Sequence, residues 1–193
     1  MRNKKRFVIT VVSEFTRGAQ GPAEGRETMA LPPHKIARLG IAYCPEERGI
    51  YSSLSTEENL LLPPPVAPGG MSVDEIYAMF PNLKERRASR GTHLSGGEQQ
   101  MLALARILRT GARLLLLDEI SEGLAPVIVQ ALSRTVHRLR EQGYTIVMVE
   151  QNFRFAAPLA DRFYIMERGR IVEGFAARDL QDRTSMLQQY LGV

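Results

Sequence analysis

The sequence predicts an α/β fold built on a mostly parallel sheet, and three observations carry that prediction. Short, wholly apolar runs alternate with segments of helical periodicity from Leu94 onward. One such run, Arg113 to Leu117, ends directly in the acids Asp118 and Glu119. Proline and glycine then punctuate the helical segments at their first turns and just past their ends, as at Pro126 and Gly143. Such runs read as strands buried on both faces.

Taken in order, residues 7–12 read as a buried strand, 16–28 as a polar, glycine-containing loop, and Pro32-Pro33 as a second loop. Residues 34–39 fit a short helix and 40–44 a short strand. The prolines and glycines of 62–71 exclude regular structure there. Ser72 followed by Asp74 and Glu75 opens a helix with Ile76, Tyr77, Met79 and Phe80 on its apolar face, ended by Pro81. Helices are predicted over 97–108, 126–142, 153–160 and 185–191, and strands over 113–117, 145–149, 162–166 and 170–173, the last two joined at Arg168-Gly169.

Composition excludes several classes. The 193 residues are 44% hydrophobic and 24% charged, as expected of a folded chain with a core. A formal net charge of +4 reads as a solvated surface, and no basic stripe interleaved with aromatics points to nucleic acid. No apolar run is long enough to span a bilayer, so any action at a membrane is expected through partners. The single cysteine, Cys44, excludes an internal disulfide and reads as a core residue. His34, His93 and His137 are scattered without metal spacing.

Two motifs carry chemistry. Leu94-Ser95-Gly96-Gly97-Glu98-Gln99-Gln100 puts a hydroxyl and two glycines at the start of a helix. There, bare N–H groups and the helix dipole favour an anion; a serine-capped helix after a turn is the other reading. About twenty residues later, Asp118 and Glu119 sit at the carboxyl end of a strand, the edge where open α/β sheets bind ligands. In nucleotide hydrolases the first acid of such a pair holds Mg²⁺ and a neighbour orients the attacking water. Alone, the pair also fits a helix cap.

Together, 95–99 and 114–119 resemble the signature and Walker B motifs of ABC ATPases. Pro45-Glu46-Glu47-Arg48-Gly49-Ile50-Tyr51, Thr56-Glu57-Glu58-Asn59-Leu60, Gly123-Leu124-Ala125-Pro126, Val149-Glu150-Gln151-Asn152 and the terminal Tyr190-Leu191-Gly192-Val193 extend the match from about Leu31 onward. These motifs are similar to those of the second ATP-binding subunit of branched-chain amino acid importers. The resemblance implies a P-loop NTPase (RecA-like) core in three parts. These are an atypical N-terminal part of the core (1–54), a helical signature subdomain (55–95) and a core part with Walker B (96–193). It implies ATP and Mg²⁺ as cofactors, with Asp118 holding Mg²⁺, Glu119 as catalytic base and Gln151 in the place of the switch histidine. Leu94, Ser95, Gly96, Gly97, Glu98 and Gln99 would face ATP on an opposing subunit, and Glu46 takes the Q-loop position. Implied partners are a second ABC ATPase subunit, identical or different, and transmembrane permease subunits. The implied location is peripheral, on the cytoplasmic face of a bacterial inner membrane.

The sequence departs from the family in two places. No G-x-x-x-x-G-K-[ST] occurs in it, and the glycine-containing stretch Arg17-Gly18-Ala19-Gln20-Gly21-Pro22 has no Lys and no Ser or Thr to hold phosphate and metal. Ile120 stands where the family has proline. Both departures imply weak or absent autonomous hydrolysis. Three functions follow from the sequence: an importer ATPase subunit, a non-catalytic subunit lending its signature motif to a partner's ATP, and a degenerate fragment.

Overall fold

The computed structural model describes residues 8–12, 27–167 and 169–183. The stretch 17–22, most of the 16–28 loop, Arg168, the 185–191 helix and the terminal 190–193 lie outside the described residues. The elements are β1 (Val8–Val12), α1 (Pro33–Ala37), β2 (Ile41–Cys44), α2 (Thr56–Leu61), α3 (Val73–Met79), α4 (Pro81–Glu85) and α5 (Gly96–Leu108). They continue as β3 (Leu114–Asp118), α6 (Pro126–Glu141), β4 (Thr145–Glu150), α7 (Phe153–Ala156), β5 (Arg162–Glu167) and β6 (Arg170–Ala176).

The described strands form one sheet in the order β2-β3-β4-β1-β5-β6. Its parallel part is β2-β3-β4, with Ile41 opposite Leu114 and Leu114 opposite Thr145. β1 lies between β4 and β5 and runs against both. Ile9 is therefore level with Glu150, while Val12 is level with Val147 and Arg162. The carboxyl end of β1 points to the edge opposite the one where β3 and β4 end.

Strand periodicity sorts side chains between the two faces. Ala42, Cys44, Leu115, Leu117, Ile146, Met148, Phe163 and Ile165 face inward and are buried in one apolar cluster with Leu102, Leu104 and Leu108 of α5 and Leu132, Val136 and Leu139 of α6. Burial pushes the Cys44 thiol up to about 12, so it stays protonated at neutral pH, as a core residue should. The opposite face differs from the two-sided burial that apolar strands suggest: Leu114, Leu116, Val147 and Val149 are only partly buried and Tyr43 is 55% exposed.

Between β2 and β3 the chain makes a helical layer. Ser55, Ser72 and Ser95 each cap a helix through a capping box with the glutamate three residues on. Pro81 ends α3 and also starts α4, because its fixed φ and missing N–H suit a first helical turn. Leu60, Ile76 and Leu83 are fully buried and belong to the same core as α5. The irregular stretch 62–71 is tied back by Val66 N–H and Ala67 N–H to Thr110 O, at 2.7 and 3.2 Å.

Candidate functional site

The site is assembled at the carboxyl ends of β3 and β4. Glu119 follows the last residue of β3 and is 6% exposed. Its backbone adopts φ 45°, a left-handed conformation unusual for a non-glycine residue, and its N–H is anchored on Val149 O at 2.8 Å. Gln151, one residue beyond β4, donates from Nε2 to Glu119 Oε1 at 2.7 Å. Glu46, just after β2, brings a carboxylate oxygen into a group with those of Glu119 and Glu122 in which all lie within 4.8 Å of one another. Three strand ends thus deliver Glu46, Glu119 and Gln151 to one place.

Asp118 is partly buried, and its Oδ2 accepts a hydrogen bond from the Tyr43 hydroxyl at 2.9 Å. Carboxylate oxygens are the donor type that Mg²⁺ takes, so Asp118 and the glutamate group fit a hard cation chemically. The polyphosphate of a nucleotide needs cations and convergent N–H groups as well. A cleft of about 860 Å³ opens beside Glu119 and Gln151, walled by Gly123, Leu124, Gln130 and Asn152, and among its described lining residues only Arg154 is cationic.

Glu150 is the buried neighbour of this group, 1% exposed. Ser121 donates to it twice, from N–H to Oε1 at 3.0 Å and from Oγ to Oε2 at 2.8 Å. Burial pushes the Glu150 carboxyl up to about 7; the Ser121 and Asn152 hydrogen bonds oppose the rise, and the charge of Glu119 adds to it. The folded chain therefore binds this proton more tightly than the unfolded chain does. The resulting stability is full below the ordinary carboxylate value of 4.5 and is lost as pH rises through about 7. Glu150→Gln is expected to flatten this dependence. Thermal unfolding at pH 5 and pH 8 should show the wild type losing up to about 3 kcal/mol more than the variant across that interval. Equal losses in both proteins would contradict the assignment.

The signature segment lies at the start of α5. Ser95 is exposed and caps the helix: its N–H donates to Glu98 Oε2 at 2.7 Å, and Glu98 N–H donates to Ser95 Oγ at 3.3 Å. Glu98 also pairs with Arg86 at 3.6 Å. Gln99 Nε2 donates to Gly91 O and Leu94 O, and Leu94 itself is 5% exposed. Leu94, Glu98 and Gln99 are thus engaged in shaping the turn, which leaves Ser95 exposed, Gly96 partly exposed and Gly97 buried beneath them. Gly97 is needed for packing: a Cβ there would lie 2.9 Å from Ile128 Cγ1 in the first turn of α6. Among the described residues, no hydrogen bond or ion pair joins Ser95, Gly96 or Gly97 to Glu46, Glu119 or Gln151.

Several contacts around the site were not legible in the sequence. Arg48, with φ 65°, donates from Nε to Gln100 Oε1 at 3.2 Å and lies over Gly96. Asn59 is fully buried; its Oδ1 accepts from Tyr51 N–H at 2.8 Å, and its Nδ2 donates to the carbonyls of Tyr51, Leu54 and Ser55. It thereby fixes the loop that follows Glu46. Tyr43 on Asp118 and Ser121 on Glu150 are the other two. Except for those of Asn59, these contacts join residues tens of positions apart.

The chain is similar to known proteins over most of its length. The ABC transporter family model matches residues 7–122. The high-affinity branched-chain amino acid transport ATP-binding protein BraG of Pseudomonas aeruginosa is 43% identical over 178 residues, covering 88% of this chain and 74% of that protein. The probable branched-chain amino acid transport ATP-binding protein LivF of Archaeoglobus fulgidus is 33% identical, covering 88% and 73%. Among solved structures, a nucleotide-free ATP-binding cassette from an ABC transporter superposes with a TM-score of 0.69 at 18% identity, covering 84% of this chain and 71% of that one, a likeness of fold.

Proposed function

This chain belongs to the ABC transporter family, and on that premise we propose that it is an ATP-binding cassette subunit of an importer for branched-chain or related amino acids. The observation that carries the reading is the convergence of Glu46, Glu119 and Gln151 at the carboxyl edge of the parallel strands. In this role Glu119 would accept a proton from an attacking water, Gln151 would hold the Glu119 carboxylate in place, and Asp118 would hold Mg²⁺. The substrate class rests on the names of BraG and LivF. The helical segment 55–95 serves as the signature subdomain between the two core parts. No helix among the described residues is long and apolar enough to cross a membrane, so the subunit would work at the cytoplasmic face through transmembrane permease subunits and a second ATPase subunit.

One observation favours action on ATP held by that second subunit. The strand beside β4 runs backwards, so the chain leaves β1 at Val12, level with Val147 and away from Glu150. A phosphate loop following β1 would start at the wrong edge, and the sequence has no lysine-bearing loop motif. Ser95 is exposed and Gly96 partly exposed, which leaves them available to a facing nucleotide. Reconstitution with a permease and an intact facing ATP-binding subunit is expected to give ATP-dependent uptake of leucine, isoleucine or valine that is lost when this chain is omitted. Uptake that is the same without it would overturn the reading.

A further inference from the structure

The inward-facing positions of β4 are Ile146, Met148 and Glu150. The first two are ordinary core residues. The third is a carboxylate that is 1% exposed, and burying such a group is costly unless donors meet it. Ser121 supplies two of them, 3.0 and 2.8 Å away, and is itself 4% exposed. An apolar residue would fill this position more cheaply, so packing alone does not account for Glu150.

Its surroundings supply a reason. Glu119 holds a left-handed backbone at φ 45°, and a non-glycine residue stays in such a conformation only where its neighbours over-determine it. The next residue is Ile120, which leaves φ unlocked and is buried at 1% exposure. The turn is instead bridged twice to the end of β4. Ser121, two residues after Glu119, is held by Glu150; Glu119 itself is held by Gln151, the residue after Glu150. Glu122 N–H closes the turn on Glu119 O at 3.2 Å.

We propose that Ser121 and Glu150 form a positioning clamp that fixes the turn after β3 and so keeps the Glu119 carboxylate against Gln151. The inference rests on the reading of Glu119 as the hydrolytic base, since the clamp sets where that base points. Ser121 and Glu150 touch no reacting atom; they act through Glu119 and Gln151. The clamp provides by side-chain contact the rigidity that a proline would give by its ring.

The test is nuclear magnetic resonance on the full chain without nucleotide, reading the side-chain amide of Gln151. In Ser121→Ala that amide is expected to exchange with water at least tenfold faster and to shift toward the position of a free amide. The backbone amides of α5 and α6 should stay unmoved. Ser121→Thr, which keeps the hydroxyl, should restore most of the protection, and Glu150→Leu, which removes both acceptors, should loosen Gln151 as the alanine variant does. An unchanged Gln151 amide in Ser121→Ala and in Glu150→Leu would overturn the clamp. So would loosening that spreads equally through α6, or loss of the fold in both variants, because either outcome describes a general packing role. Because no nucleotide is used, the result is separate from the hydrolytic reading: an undiminished ATPase rate of a Glu119→Gln complex would sink that reading and leave the clamp standing.

Discussion

Ser95→Arg is expected to lower the ATPase rate of the assembled complex about 100-fold, the scale seen when one transition-state donor is removed. Three effects act together. Ser95 is the N-cap of α5, and arginine cannot accept the hydrogen bond that Ser95 Oγ takes from Glu98 N–H. Losing such a cap costs about 1 kcal/mol. A guanidinium at this end of the helix also meets the positive end of the dipole, worth roughly 0.3–1 kcal/mol. The largest effect is steric, because Ser95 is exposed and a long side chain would fill the space in which a facing phosphate would approach Ser95 and Gly96. The isolated chain should lose only a few degrees in Tm, from the cap and dipole terms. Ser95→Ala separates the parts, since it removes the cap and leaves the space open. Steady-state phosphate release by the complex is the measurement; an unchanged rate in Ser95→Arg would remove the signature motif from the account.

Gly111→Ala is expected to be the most destabilising glycine-to-alanine change among the described residues, at about 2–5 kcal/mol. Gly111 has φ 82°, which L-residues resist, and a Cβ there would stand 2.0 Å from Ala67 O and 2.7 Å from Ala67 C. Neither is the tip of a flexible side chain, so the 62–71 stretch would have to move. That stretch is held to Thr110 O by Val66 and Ala67, and Met71 N–H is bonded to Leu108 O at the end of α5. Displacing it would loosen the helical layer from the helix that carries the signature segment. Denaturant unfolding reads the effect as a lowered midpoint with little change in slope. A variant within 0.5 kcal/mol of the wild type, on the order of a neutral surface change, would show that this contact is not tight.

The legible parts of the molecule share a physical feature: they depend on neighbours in sequence. The apolar run before Asp118 reads as β3 because a strand buried on one face and half-buried on the other has few polar positions. α6 reads from its periodicity, with Pro126 at its start and Gly143 (φ 80°) beyond its end. Ser72 followed by Asp74 and Glu75 reads as a helix start for the same reason, and the structure adds the capping box. The direction of β1 does not read from its sequence, because a short run of Val, Ile and Thr looks alike whether it runs with or against its neighbours. Pro81 read as a stop and is also a start, since the geometry that ends α3 suits the first turn of α4. In the site, Glu119, Gln151 and Glu46 were found through the resemblance, and the structure brings them together. The partners that orient the site come from elsewhere in the chain: Tyr43 to Asp118 spans 75 positions, Arg48 to Gln100 spans 52 and Ser121 to Glu150 spans 29. No local pattern encodes such pairs.

The central claim is that this chain acts on ATP held by a facing subunit. Glu46, Glu119 and Glu122 gather their carboxyl groups at one sheet edge beside Asp118, and β1 leads away from that edge. Equilibrium titration of Mg–ATP into the isolated chain tests the claim most directly. The account predicts no saturation in the micromolar range, with binding appearing only when the facing subunit is added. Micromolar affinity in the isolated chain would contradict it.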